Sequence, residues 1–136
     1  MLTRMSPSPV VLEVALNGIT GPERNPAAPR LPEQLARDAL ACLEAGAAIV
    51  HTHTHEPALP PDAAAALYLA AYRPILDARP DAILYPTIGL GASFDERYGH
   101  HDRLAEAGAI RQGLVDPGSV NFGESASDGC PLDVDF

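Results

Sequence analysis

Four short apolar runs in this chain are each followed by glycine and polar residues, and three of them then pass into a helical pattern. The runs are Val10 to Leu16, Ala47 to Val50, Asp81 to Tyr85 and Gln112 to Val115. Between them, Leu35, Ala36, Ala39, Leu40 and Leu43 recur at helical steps after Pro32, an alanine-rich stretch runs from Pro60-Pro61-Asp62 to about residue 78, and Ser93-Phe94-Asp95-Glu96 has capping-box spacing. Gly46 and Gly108 stop the first and third helices. Pro74 falls inside the second and is expected to kink or shorten it, an interior proline costing ~3 kcal/mol. Strands that alternate with helices make a parallel sheet with crossover connections. Such nearly all-apolar strands are expected to be covered on both faces.

The polar clusters all follow strands: Asn17-Gly18, His51 to His55, Thr87 to Gly91 and Asp116 to Ser119. In a (β/α)8 barrel that edge is the catalytic face. The fold class expected is therefore α/β, the N-terminal half of a (β/α)8 TIM-type barrel, because a whole barrel takes ~250 residues and this sequence has 136. The organisation expected is an N-terminal tail over 1–8, a partial barrel of four strands and three helices over 9–123, and a loosely ordered tail over 124–136. An open half-barrel exposes two sheet edges, so self-association into a homo-oligomer is expected.

Three histidines at alternate positions, His51, His53 and His55, leave the second strand on one face. Two neutral imidazoles one pleat apart can share a metal ion, with zinc–nitrogen distances of about 2.0–2.1 Å. The alternative is a polar strand end whose histidines meet water. His100-His101 is different: neighbours on a helix point about 100° apart and chelate poorly, so a solvated surface pair is expected. Gly89-x-Gly91 before a capped helix could receive a phosphate. Glu13 shares a strand face with Asn17 and, if turned inward, needs a partner that the sequence does not reveal.

The net charge of −9 argues against nucleic acid or an anionic membrane surface as partner. All nine cationic side chains are arginine, so Schiff-base chemistry through a lysine is excluded. Any carbon–carbon bond chemistry then calls for a metal to polarise the carbonyl. The N-terminus has no signal-peptide core before its prolines, and Cys42 and Cys130 sit in unlike contexts, so a reduced, cytoplasmic setting is expected.

Several stretches together resemble the β-keto acid cleavage enzymes, the group that includes 3-keto-5-aminohexanoate cleavage enzyme. They are Val11-Leu12-Glu13-Val14-Ala15-Leu16-Asn17-Gly18, Pro32-Glu33-Gln34-Leu35-Ala36, Glu44-Ala45-Gly46-Ala47-Ala48-Ile49-Val50-His51-Thr52-His53, Ser93-Phe94-Asp95-Glu96-Arg97 and Asp116-Pro117-Gly118-Ser119-Val120-Asn121-Phe122-Gly123. The resemblance implies a (β/α)8 barrel carrying a divalent metal, usually zinc. It also implies condensation of a β-keto acid with acetyl-CoA to give acetoacetate and a new acyl-CoA. His51 and His53 match the metal-ligating histidines. Asn17, Thr87, Gly89, Asp116 and Ser119 are the expected substrate-binding residues. The third ligand, a glutamate, and the arginine and aspartate that assist catalysis have no match in this sequence, so its catalytic acid and base are unassigned.

Several positions depart from the family. Thr20 replaces the carboxylate that greets a substrate amine, Pro86 a pocket serine, Leu114 a threonine, and His55-Glu56 an Arg-Asp pair. A β-keto acid without an amino group is therefore expected. Leu31 replaces a threonine N-cap, a loss of roughly 1 kcal/mol. The competing readings are a non-catalytic half-barrel remnant and a different metal-dependent barrel hydrolase.

Overall fold

The computed structural model describes residues 9–115. Strand β1 (Glu13–Ala15), helix α1 (Pro32–Glu44), strand β2 (Ile49–Thr52), helix α2 (Pro61–Ala78), strand β3 (Ile83–Pro86) and helix α3 (Phe94–Glu106) follow one another in strict alternation. The sheet is parallel and open, in the order β1-β2-β3, with Ala15 opposite His51 and His51 opposite Tyr85. Among the described residues no helix is long and apolar enough to cross a membrane.

Burial is one-sided. The core takes Val14 and Leu16 from the first strand and its continuation, Val50 from β2 and Leu84 from β3. These meet Leu35, Ala39 and Leu43 of α1, Tyr68, Tyr72 and Ile75 of α2, and Leu104 of α3. Side chains alternate across a strand, so Glu13, Ala15, Ile49, His51, Ile83 and Tyr85 share the other face. The expected cover on both faces is thus found on one. The second face carries Glu13 and Ala15 exposed, Ile49, His51 and Ile83 half-buried, and of these six only Tyr85 buried. It is the face a barrel would enclose.

Three local expectations are revised. Helix α2 runs through Pro74 without stopping. Pro74 and Ala70, whose carbonyl loses its helical donor to the proline, are both exposed, so water can take the place of the missing bond. The first strand is shorter than the apolar run: Val10, Val11 and Leu12 are exposed, and Leu12 contributes only its carbonyl, accepting from the Ala48 and Ile49 amides. Residues 112–115, read as a fourth strand, are in no strand. The tail over 1–8, Asp116, Ser119, the turn at 116–118 and the tail over 124–136 lie outside the described residues.

The helix ends follow their sequence signals. At α3, Ser93 Oγ accepts from the Glu96 amide at 3.2 Å and Glu96 Oε2 accepts from the Ser93 amide at 2.9 Å. At α1, Leu31 offers no cap, but Gln34 Oε1 accepts from the Arg30 and Leu31 amides at 3.0 and 3.1 Å. The loss expected from the missing threonine is thereby offset in part. Gly46, with φ +105°, supplies the left-handed turn that leads α1 into β2.

Candidate functional site

The C-terminal edge of the sheet gathers His51, His53, Asn17 and Thr87. His51 and His53 leave β2 and its continuation on the open face, and their Nε2 atoms stand 3.0 Å apart, one ring donating and the other accepting. The rings meet edge to face, with centroids 4.9 Å apart. Burial pushes both imidazoles toward the neutral base. For His53, burial and then the charge of neighbouring His51 bring the pKa down to about 4. For His51, burial lowers it, against the opposing pull of the Tyr85 carbonyl and the Glu13 carboxylate. Both rings are therefore uncharged at neutral pH, and a metal held between them would replace the hydrogen bond they share.

Tyr85 lies against His51, its ring centroid 4.5 Å away, and its hydroxyl donates to Glu13 Oε1. This is the partner that Glu13 lacked in the sequence. Burial first, and the Glu13 carboxylate next, push the Tyr85 hydroxyl up to about 12, so it stays protonated. Position parity alone could have flagged Tyr85, since it lies directly across the ladder from His51.

Asn17 holds His53 by its backbone. Its Oδ1 accepts from the His53 amide at 2.8 Å, and its Nδ2 donates to the His53 carbonyl at 2.9 Å and the Pro29 carbonyl at 3.2 Å. The last backbone rung between the two strands is Leu16 N to His51 O at 3.1 Å. Beyond it the side-chain amide continues the ladder by one step. Both amide hydrogens of Asn17 are committed, which leaves a substrate one lone pair on Oδ1.

Thr87 continues β3, donating its amide to the Thr52 carbonyl at 3.0 Å. Its carbonyl accepts from His100 Nε2 at 2.7 Å. Gly89 is required by packing, because a Cβ there would stand 2.5 Å from the Glu96 carbonyl oxygen. The expected phosphate cradle at Gly89-x-Gly91 meets an obstacle: Glu96 Oε2 already takes the Ala92 and Ser93 amides at 3.0 and 2.9 Å. Those hydrogen bonds, the Ser93 amide's foremost, hold the Glu96 carboxyl below its ordinary range, so an anion would meet a carboxylate.

The expectation of a solvated His100-His101 pair is overturned. Both are buried. Helix α3 is poor in apolar residues, so the histidines that share Leu104's spacing fill its inner face. His100 stacks on Tyr68 at 5.7 Å, whereas both ring nitrogens of His101 are buried without a hydrogen-bond partner.

His51 and His53 fit two positions of a metal site. Their donors are neutral, point at one another, and stand close to the roughly 3.3 Å that a tetrahedral ion bound at about 2.0–2.1 Å would hold between two nitrogens. His55 is exposed past the strand end, and among the described residues no group of three or more His, Cys, Asp or Glu could hold a metal. A family model described as beta-keto acid cleavage enzyme (BKACE) matches residues 9–133. The chain belongs to this family. The matched range takes in every described strand and helix, and the positions of Asp116 and Ser119.

Proposed function

We propose that this chain takes part in metal-dependent β-keto acid cleavage, in which a β-keto acid and acetyl-CoA give acetoacetate and a new acyl-CoA. In that exchange the bond between the keto carbon and its α-carbon breaks, and the two-carbon acid joins the acetyl group. The convergence of His51 and His53 at 3.0 Å on the open face, within a chain of this family, carries the reading.

His51 and His53 would hold a divalent metal, zinc by the family resemblance, as neutral donors. When bound, the metal supplies Lewis-acid polarisation of the substrate's keto and carboxylate oxygens. Asn17 fixes the His53 peptide and so the direction from which its ring approaches. Tyr85 walls one side of His51 and, tied to Glu13, keeps its hydroxyl from turning toward substrate. The Thr87 hydroxyl stands at the strand end, free to donate to a substrate oxygen. Asp116 and Ser119 remain the expected contacts from the segment that follows.

The test is zinc content together with acetoacetate formation from acetyl-CoA and a panel of β-keto acids, using purified chain of verified mass. Stoichiometric zinc with product supports the reading. Product with full rate after chelation would sink its metal-dependent part, and zinc without product from any keto acid its catalytic part.

A further inference from the structure

Arg30 is a cation without an anion. Among the described residues, Arg37 pairs with Asp38, Arg79 with Asp81, and Arg103 with Asp62 and Asp95. Arg73 and Arg111 donate to the carbonyls of Ala107 and Pro80, Arg97 lies over the Tyr98 ring, and Arg24 stands exposed away from the two concavities that Arg30 borders. The Arg30 guanidinium has one hydrogen bond, at 3.4 Å, from Nη1 to the Thr20 carbonyl. Most of its five N–H donors are left open, although the side chain is half-buried.

Its position gives this meaning. Arg30 and His55 together border two adjoining shallow concavities, one shared with Asn17 and Thr20, the other with His53 and Tyr68. Neither lining contains an aspartate or glutamate, in a chain with eighteen acidic residues and a net charge of −9. Pro32, Leu35 and Leu67 add apolar side chains to the second concavity, which His53 and Arg30 both line. A short carbon chain held at His53 would lie against these side chains and present its far end to Arg30 and His55. A planar guanidinium with paired free donors matches a carboxylate in bidentate geometry.

We infer that Arg30 and His55 form a subsite for a second carboxylate, and that the substrate is a dicarboxylic β-keto acid. This rests on the reading of His51 and His53 as the metal pair. The subsite recognises only the end of the substrate remote from the bond that breaks, so Arg30 sets specificity and is not a catalytic residue.

Two measurements test it. The first compares kcat/KM for a dicarboxylic β-keto acid and an uncharged-tail analogue of equal length, in the wild type, Arg30→Gln and Arg30→Lys. Charge-assisted hydrogen bonds predict that the preference for the dicarboxylic substrate falls about 10- to 100-fold in Arg30→Gln, through KM, and returns in part in Arg30→Lys. An equal loss on both substrates would overturn the second-carboxylate assignment. The second measurement needs no turnover: NMR titration with glutarate, butyrate and free CoA. Glutarate binding more tightly than butyrate, with that margin lost in Arg30→Gln, supports the subsite. A margin that survives Arg30→Gln, or Arg30→Gln weakening CoA and leaving glutarate untouched, overturns it. If no keto acid turns over, the proposed function fails while the titration still decides the subsite.

Discussion

Two histidine pairs in this molecule have been given opposite geometries by their spacing. His51 and His53 are alternate residues of a strand and its continuation, and their Nε2 atoms converge to 3.0 Å. His100 and His101 are adjacent on a helix, with ring centroids 4.4 Å apart, and diverge in what they do. One is tied to the Thr87 carbonyl and the other has no partner for either nitrogen. Burial lowers the pKa in both pairs. Neutral imidazoles are therefore common to the two regions, and convergence belongs to one. The contrast separates the pair we propose as metal donors from a pair used as packing.

Metal affinity breaks the comparison most sharply. His51→Ala or His53→Ala should lower zinc affinity by more than about 100-fold, beyond the 10- to 100-fold that follows loss of outer-shell partners. His101→Leu should leave zinc affinity within a few-fold of the wild type. Competition against a chromophoric chelator measures both. Zinc should also raise the urea midpoint in the wild type and His101→Leu but not in His51→Ala, since only a ligand of the folded state stabilises it. Equal affinities in His51→Ala and the wild type would remove the strand pair from the metal site.

The helix pair should be felt in acid, alongside the strand pair. His101 is buried with its pKa brought down to about 4, by burial first and then by the neighbouring His100. Around it stand His100, Tyr98, Asp102 and the Pro86 backbone, the last two pulling its pKa back up, with Arg103 acting on His100. Its ordinary pKa lies near 6.5, so between pH 6.5 and 4 the unfolded chain binds the proton and the folded one does not. Stability is thus full above pH 6.5 and falls as the pH drops toward 4, by up to ~3 kcal/mol from this one group. His101→Leu should flatten that slope in urea unfolding at pH 7 and pH 4.5. An unchanged slope would mean that His101 finds a proton acceptor in the folded state.

The same contrast explains what the sequence made legible. Strand spacing is read on one element, so the face shared by His51 and His53 follows from alternation alone. The alternation of elements and the capping box at Ser93 were legible for the same reason, being local. The burial of His100 and His101 depends on Tyr68, two elements away, and on α3 having little else to bury. The Tyr85–Glu13 bond joins two strands that are not neighbours in the sheet. The place of Arg30 beside two concavities without acidic lining could be seen only once the loop carrying it was folded against His53 and His55. Helix α2 passes Pro74 because that residue faces water, which periodicity had not weighed.

Asn17 offers the finest sharpening of the strand pair. Asn17→Leu keeps the approximate shape and removes all three hydrogen bonds, leaving the His53 amide and carbonyl part-buried and unpaired. Stability should fall by about 1–3 kcal/mol, the usual result of stranding buried polar groups. An anchor that served only the fold would stop there, and the folded protein would bind zinc as before. If the amide also sets the approach of the His53 ring, zinc affinity measured well below the unfolding midpoint should drop about 10-fold, the lower range for an outer-shell partner. The cobalt-substituted protein should show an altered visible spectrum, because a shifted imidazole changes the ligand field even where the ion is retained. Lower stability with unchanged affinity and spectrum would leave convergence of the pair to β2 alone, with the side-chain rung as a brace for the loop that carries Pro29.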